Sequence, residues 1–167
     1  MSDTLPMPVS TLSKAQRSSI LNLVRRAARA EILPRFRNLE SGEIDVAAFH
    51  IVTMGSNVSA HTRTLFEGDS YQDYLYWHGF GVEMAEALAE FWHRRIREEL
   101  GIVDQDGAET KDLFAGRYRG ARFSFGYPAC PRLEDQAQLF RLLDVSANLD
   151  VELTEGYMMD PESSVSA

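Results

Sequence analysis

The sequence predicts one domain that mixes α-helices and β-strands, and three observations support this fold class. Residues 71–100 repeat apolar side chains at helical spacing over about eight turns. Residues 44–54 are rich in β-branched and aromatic side chains, which is typical of a buried strand. The chain has 167 residues, of which 44% are hydrophobic, so it can bury one core but is short for two domains.

The first part of the chain, residues 1–43, predicts a polar leader followed by an amphipathic helix. Thr11 or Ser13 can cap the helix, and its apolar pattern stops at Pro34, because proline has no N–H and disrupts a helix interior. The apolar positions are Ile20, Leu23, Val24, Ala27, Ala28 and Ile32. We expect the main domain to occupy residues 44–167.

The main domain is expected to begin with a strand and a short helix. Residues 44–54 form the strand, which ends at the turn formed by Gly55 and the two residues after it. Residues 59–66 are compatible with one short helix, and residues 67–70 carry glycine and polar side chains that break it.

The predicted helix at 71–100 has two chemically different stripes. The stripe expected to pack against the core contains Leu75, His78, Val82, Ala85, Ala89, Trp92 and Ile96. The adjacent stripe is polar and contains Glu83, Glu86, Glu90, His93 and Arg97. Gly101 is the expected end of this helix.

Three further elements are predicted near the end of the chain. Residues 133–143 have acidic side chains in their first turn and apolar ones after it, which favours a helix. Residues 151–154 and 163–166 predict two strands across a turn at Asp160-Pro161.

Composition excludes several kinds of partner and location. The net charge is −8, with 25 acidic and 17 basic residues, which disfavours binding to nucleic acid or to an anionic membrane. The sequence shows no apolar stretch of membrane-spanning length, and its polar start is unlike a signal peptide. With one cysteine there is no internal disulfide, so we expect a cytoplasmic protein that binds a small molecule or another protein.

The segment from Arg122 to Pro131 has a composition typical of a binding loop. It reads Arg-Phe-Ser-Phe-Gly-Tyr-Pro-Ala-Cys-Pro, and neither a helix nor a strand requires this combination. Glycine permits close backbone approach, and prolines stiffen the chain. Arg122 offers a planar set of donors to a carboxylate or phosphate, and Tyr127 adds a ring face.

The sequence gives no support for a metal centre or a nucleophile. Glu90 and His93 form one Glu-x-x-His pair, whereas a di-iron bundle needs this motif twice. The remaining histidines show no ligand spacing. Cys130 has no histidine in its motif to activate it, which favours a small packed side chain. We therefore predict no metal and no catalytic acid, base or nucleophile.

The loop resembles the R-x-x-x-G-Y-P-A-C-P signature of the S-adenosylmethionine-binding activation domain of cobalamin-dependent methionine synthase. The flanking residues 85–97, 153–155 and 164–166 are also similar to that family, and the resemblance covers residues 44–167. It implies an α+β fold, in which helices flank a central, mostly antiparallel twisted sheet. It also implies a domain that is short at its C-terminus.

The resemblance assigns ligand contacts to seven positions of this chain. The S-adenosylmethionine-binding residues it implies are Glu86, Arg122, Gly126, Tyr127, Pro128, Ala129 and Cys130. Besides Cys130, for which a small packed side chain is favoured, three of these positions have a simpler alternative. Arg122 can pair with a surface acid, Glu86 can face solvent or a helical neighbour, and Tyr127 can be a core aromatic.

The function implied by the resemblance is the reductive remethylation of inactive cobalamin. A partner protein or domain holds the cobalamin, a flavodoxin- or ferredoxin-type partner supplies an electron, and the activation domain presents S-adenosylmethionine. The chain is then a component of methionine synthase activity rather than a complete enzyme. The alternative is a noncatalytic interaction module that docks on a corrinoid protein without productive ligand binding.

Overall fold

The computed structural model describes residues 28–37, 44–107, 109, 111–112 and 115–167. In chain order, its elements are β1 (Ala28–Arg37), β2 (Ile44–Thr53), α1 (Ser56–Glu67), α2 (Tyr71–Glu99), α3 (Gln136–Leu143), α4 (Val145–Leu149), β3 (Glu152–Leu153), β4 (Met159–Asp160) and β5 (Ser164–Ser166). Short 3₁₀ turns lie at Val103–Gln105 and Leu133–Asp135. The predicted α+β class is confirmed, as is the long helix.

The main sheet is antiparallel and has the strand order β1-β2-β5. Ala28 of β1 lies opposite Val52 of β2, and Val52 lies opposite Val165 of β5 on the other side. A separate two-stranded ribbon joins β3 and β4. Strand β2 is therefore the centre of the described sheet.

Alternation along β2 divides the core into two layers, because successive strand side chains point to opposite faces. On one face, Ile51 packs with residues of α3 and α4, including Leu139 and Val145. On the other face, Val52 packs with Ala85 and Ala89 of α2. The sheet thus lies between the long helix and the two short C-terminal helices.

The helix predicted before Pro34 is wrong over the residues that the structure describes. Ala28–Arg37 forms strand β1, whose backbone hydrogen bonds go to β2. Pro34 is tolerated because the register shifts between Leu33 and Phe36, where an irregularity removes the need for a ladder N–H. The rest of the predicted helix, residues 11–27, lies outside the described part of the chain.

The packed face of α2 differs in part from the predicted stripe. Ala85, Ala89 and Ile96 are buried as expected, but Leu75 is 48% exposed. Among the polar positions, His93 and Arg97 are buried. A 29-residue helix is about 43 Å long and the ten-residue strand β2 about 33 Å, so the sheet covers only part of the helix.

The C-terminal strands pair differently from the prediction. The ribbon joins Leu153 to Met159, whereas β5 leaves that ribbon and adds to the central strand β2. The predicted helix at 133–143 is a 3₁₀ turn followed by α3, and Asp144 in a left-handed conformation (φ 48°) separates it from α4. Two-residue strands and single-residue breaks carry no periodicity that a sequence pattern can detect.

In the part of the chain that the structure describes, no helix is both long enough and apolar enough to span a bilayer.

Leu139 and Leu142 give a matched test of the core beneath the sheet, because both lie on α3. Leu139 is 3% exposed and Leu142 is 47% exposed. We expect Leu139→Ala to lower the free energy of unfolding by about 2–5 kcal/mol through the lost transfer energy and the cavity. Leu142→Ala should change it by about 0.5 kcal/mol or less. Urea denaturation measures both, and equal effects would contradict the packing.

Gly81 and Gly79 give a second matched pair, on α2. A Cβ at Gly81 would lie 2.7 Å from Ser163 Oγ and 3.0 Å from Val58 Cγ1, whereas a Cβ at Gly79 would meet nothing within 4 Å. Gly79→Ala should stabilise the protein by about 0.5–1 kcal/mol, because alanine is the better helix former. Gly81→Ala should destabilise it by about 1–3 kcal/mol through overpacking. Thermal unfolding would reveal the opposite signs.

Candidate functional site

The candidate site lies where the polar stripe of α2 meets the segment that carries Arg122. Arg122 Nη2 donates a hydrogen bond to Glu86 Oε2 at 2.8 Å, and Arg122 Nε lies 3.8 Å from Glu90 Oε2. Glu86 and Glu90 are four residues apart, so they lie on one side of the helix. The arginine therefore faces two carboxylates one helical turn apart.

Two of the predicted site residues, Arg122 and Glu86, thus contact each other directly. The Arg122 side chain is 19% exposed and that of Glu86 is 48% exposed, so the pair stands at the surface with its cation more buried. Arg122 does pair with an acid, as the simpler alternative expected, but that acid is the other predicted ligand contact. The sequence alone could not show that the two positions meet across 36 residues.

Arg122 also keeps an unused donor. Its Nη1 atom is buried and has no hydrogen-bond partner among the described residues. A buried donor without an acceptor costs about 1–3 kcal/mol, so an acceptor from water or a ligand is favoured at this point. A carboxylate is well suited to a guanidinium, since it accepts two parallel hydrogen bonds.

The predicted loop residues Gly126–Cys130 form a tight closed turn. Gly126 N donates to Cys130 O at 2.8 Å, and Cys130 N donates to Tyr127 O at 2.9 Å. Gly126 has φ 85°, which a residue with a Cβ rarely adopts. Pro128 and Ala129 are exposed at the tip, and Cys130 is half-buried with a free thiol.

Tyr127 is 67% exposed, so it does not belong to the core. Its ring is accessible on the turn, five residues after Arg122 in the sequence. No hydrogen bond or ion pair between described residues joins the Tyr127 side chain to Glu86 or Arg122. The structure brings Glu86 and Arg122 together and leaves the turn as an exposed neighbour.

A polar cluster continues along α2 behind the ion pair. His93 Nδ1 lies 3.6 Å from Glu90 Oε1, and Arg97 forms an ion pair with Asp106. The Tyr118 ring contacts both Arg97 and His93. Its centroid is 4.3 Å from the Arg97 guanidinium carbon and 5.1 Å from the His93 ring centroid. Tyr118 therefore links the Glu90–His93 pair to the Arg97–Asp106 pair.

Burial determines the protonation of the cluster. His50 reaches this region from β2, and burial lowers its pKa to about 4, with Arg122 and His93 adding to the shift. Burial likewise lowers the pKa of His93, although Glu90 opposes this, and burial raises the pKa of Tyr118. Near neutral pH both histidines are uncharged, because a desolvated imidazolium is disfavoured.

Unpartnered polar atoms are concentrated in and next to this cluster. Among the described residues, the buried side-chain atoms without a hydrogen-bond partner are His50 Nε2, Glu90 Oε1, Trp92 Nε1, His93 Nδ1, Arg97 Nε and Nη2, and Arg122 Nη1. All belong to β2, to the second half of α2 or to Arg122 itself. Native interiors leave few such atoms, so their concentration favours ordered water or a polar ligand here.

Sequence reasoning recognised part of this cluster. The polar stripe containing Glu90, His93 and Arg97 was visible from helical spacing, although not its burial. Asp106 and Tyr118 gave no signal, because they lie in irregular segments. His50 is a polar residue within an apolar strand, and this was the one sign that could have marked it. No group of three or more His, Cys, Asp or Glu side chains in the described residues could hold a metal ion.

The fold and the site together define an α+β domain with a partly buried ion-pair site on its long helix. The chain belongs to the family described as the vitamin B12 dependent methionine synthase activation domain, whose profile matches residues 28–167. The match begins at strand β1, so it includes the pairing of β1 with β2. The resemblance found in the Arg122 loop is confirmed.

Two relatives are methionine synthases from mycobacteria. This chain is 46% identical over 134 residues to the methionine synthase of Mycobacterium tuberculosis (strain ATCC 25618 / H37Rv) and 45% identical over 134 residues to that of Mycobacterium leprae (strain TN). Each alignment covers 77% of this chain but 11% of the relative. The chain thus spans about a ninth of the length of these relatives.

A solved structure has a similar fold. The crystal structure of the MetH reactivation domain bound to AdoHcy (S-adenosylhomocysteine) matches with a TM-score of 0.70 and 30% sequence identity. The match covers 76% of this chain and 39% of that chain. The α+β arrangement around the long helix is therefore shared with a reactivation domain.

The depressed pKa of His50 predicts how stability depends on pH. The unfolded state binds a proton near pH 6.5 and the folded state only near pH 4, so the stabilisation is complete above about pH 6.5 and is lost as the pH falls towards 4. Between pH 7 and pH 5 this corresponds to about 2 kcal/mol.

His50→Asn should remove this component, so its free energy of unfolding should fall less between pH 7 and pH 5 than that of the wild type. Urea denaturation at the two pH values measures the difference. His61→Asn, at an exposed position on α1, is the matched control. Identical pH dependence in wild type and His50→Asn would contradict the assignment.

Proposed function

We propose that this domain binds S-adenosylmethionine and presents it for reductive remethylation of cobalamin held by a partner protein or domain. The observation that carries the proposal is the Arg122–Glu86 pair, joined at 2.8 Å at the edge of a buried polar cluster. On this proposal the activation-type domain comprises residues 28–167, since β1 is part of the same sheet.

The pair matches the amino-acid end of the ligand. That end carries a carboxylate and an ammonium group, and the site offers a guanidinium and a carboxylate in direct contact. We infer that the ligand's carboxylate takes the place of Glu86 on Arg122, using the buried Nη1 donor as well. Glu86 is then free to accept a hydrogen bond from the ligand's ammonium group.

The charge of the cluster supports a cationic ligand. Three carboxylates, of Glu86, Glu90 and Asp106, face two guanidinium groups, of Arg97 and Arg122. The lowered pKa values of the neighbouring histidines keep them uncharged near neutral pH. S-adenosylmethionine carries an additional positive charge at sulfur, so one excess negative charge near its binding site is favourable.

The turn at Gly126–Cys130 is proposed to line the same ligand. Its backbone bonds and prolines make it rigid, so it can support a bound molecule at low entropic cost. The exposed Tyr127 offers a ring face of the kind that attracts a sulfonium or stacks on a base. The similar fold of a reactivation domain bound to AdoHcy also supports a ligand of this class.

The protein's own contribution is then binding and orientation. S-adenosylmethionine, when bound, supplies an activated methyl group, and the partner-held cobalamin supplies the metal chemistry. Arg122 and Glu86 hold the amino-acid end and exchange no proton with the reacting atoms. A flavodoxin- or ferredoxin-type protein is the proposed electron donor. Membership of a methionine synthase family supports this division of work among domains.

Calorimetric titration of the folded full chain with S-adenosylmethionine tests the proposal. We expect saturable binding that Arg122→Ala weakens at least about tenfold, or about 1.4 kcal/mol, because the main hydrogen-bond donor to the ligand's carboxylate is lost. Arg119→Ala removes an exposed arginine three residues away and should bind as the wild type does. S-adenosylhomocysteine, which lacks the sulfonium charge, serves as the second ligand.

The titration also distinguishes the two candidate functions. Two results together would refute autonomous ligand binding: no binding heat with either ligand for the folded wild type, and no retention of either ligand by the protein in equilibrium dialysis. The noncatalytic interaction module that docks on a corrinoid protein would then be the better account. Equal weakening by Arg122→Ala and Arg119→Ala would refute the specific role of Arg122.

A further inference from the structure

The segment that carries Arg122 is held by its side chains rather than by its backbone. Residues 118–125 belong to no helix or strand, and they form no backbone–backbone hydrogen bond with another described residue. Such a segment keeps one conformation only where side-chain contacts fix it, because water can satisfy free backbone groups in many conformations. The contacts of its side chains therefore decide where the Arg122 guanidinium group lies.

Tyr118 makes the first of these contacts. Its ring lies over the guanidinium group of Arg97, with 4.3 Å between the ring centroid and the guanidinium carbon, and it meets the His93 ring at an interplanar angle of 71°. Both partners belong to α2 and are buried, and Arg97 is only 1% exposed. A guanidinium attracts a ring face electrostatically, most strongly where the two are desolvated. Tyr118 is therefore held against the helix by two buried partners.

Arg97 is itself fixed in place beneath the Tyr118 ring. It forms an ion pair with Asp106, whose side chain is 12% exposed. Gly120 passes close to the same arginine, since a Cβ at this glycine would lie 3.5 Å from Arg97 Cδ. The φ angle of Gly120 is 87°, a conformation that glycine adopts without strain. The chain can therefore cross Arg97 closely and turn towards Arg122.

Tyr118 and Arg122 contact the same helix at two points. Tyr118 lies against His93 and Arg97, whereas Arg122 donates to Glu86. His93 follows Glu86 by seven residues, which is about 10 Å along the helix axis. We propose that Tyr118 is a positioning residue for the candidate site: its ring, held by Arg97 and His93, fixes the segment that places Arg122 opposite Glu86.

Loss of the Tyr118 ring is expected to release the Arg122 side chain. Without the ring, Arg122 should sample positions away from Glu86, because no backbone hydrogen bond to the described residues holds its segment. A ligand's carboxylate would then have to order the arginine on binding, which lowers affinity. This second effect rests on the proposed function, in which Arg122 binds that carboxylate. Parts of a ligand that do not touch Arg122 should be held as before.

The mobility of Arg122 in the ligand-free full chain tests the proposal first. The ¹H-¹⁵N heteronuclear NOE of the Arg122 Nε–H group reports motion on the ps–ns timescale, and Arg122→Lys identifies its signal. We expect Tyr118→Leu to lower this NOE by about half or more, whereas Tyr118→Phe, which keeps the ring over Arg97, should leave it unchanged. Tyr76→Leu removes an exposed ring from α2 and is the matched control.

Tyr118→Met keeps much of the side-chain volume without a ring, and it replaces Tyr118→Leu if circular dichroism shows that the latter does not fold. An unchanged Arg122 NOE in the variant that folds would overturn the proposal. An equal loss of NOE in Tyr118→Phe would also overturn it, because the hydroxyl group rather than the ring would then fix the segment. If neither variant folds, Tyr118 is required for the fold itself, and the positioning role is refuted.

Calorimetry with two ligands tests the effect on binding. S-adenosylhomocysteine has the amino-acid carboxylate, whereas 5′-methylthioadenosine lacks the amino-acid end. We expect Tyr118→Leu to weaken binding of the first about fivefold or more and binding of the second by less than about twofold. The double variant Tyr118→Leu/Arg122→Ala should bind S-adenosylhomocysteine as Arg122→Ala does, because Tyr118 acts through Arg122.

The two kinds of failure are distinguishable. Equal weakening for both ligands, or additive losses in the double variant, would mean that Tyr118 supports the whole site and would overturn its role in positioning Arg122. If the folded wild type binds neither ligand, the proposed function fails. The Arg122 NOE then still decides whether Tyr118 positions Arg122, since that measurement needs no ligand.

Discussion

The close contact between helix α2 and the central strand β2 is the constraint on which the rest of the structure depends. Ala85 and Ala89 present only methyl groups to Val52, so the helix can approach the sheet closely. Strand β5 extends the same surface, and Ser163, the residue before it, lies against Gly81 of the helix. Small side chains at these positions fix both the height of the helix above the sheet and its rotation.

That rotation determines where the polar stripe of the helix lies. With Ala85 and Ala89 on the sheet, His93 and Arg97 come under the segment that carries Tyr118, and Glu86 faces Arg122. The resulting cluster is buried enough to shift histidine pKa values, yet it retains several unpartnered polar atoms. A polar cluster of this kind lowers stability unless ordered water or a ligand satisfies its unpartnered atoms.

One side of α2 thus packs on the sheet, and the polar stripe on another side carries the proposed binding site for a small zwitterionic cation. A long helix suits this arrangement, because residues one turn apart can serve separate contacts on a rigid axis. On the proposed function, this domain of the vitamin B12 dependent methionine synthase family contributes a positioned binding site, and the metal and redox chemistry belongs to partner proteins or domains. The mycobacterial relatives are about nine times as long as the matched segment, in keeping with that division.

Local sequence determined the long helix, the central strand and the tight turn of the proposed binding loop, because each depends on nearby residues: helical periodicity, β-branched side chains, and glycine with prolines. Tertiary structure decided the rest. Ala28–Arg37 became a strand because β2 satisfies its backbone hydrogen bonds, which outweighs a helix-like apolar spacing. The meeting of Arg122 with Glu86, and the burial of His50 beside them, depend on how a helix, a strand and a loop pack. No local pattern encodes such a contact, since its partners are distant in sequence and its energy exists only in the folded state.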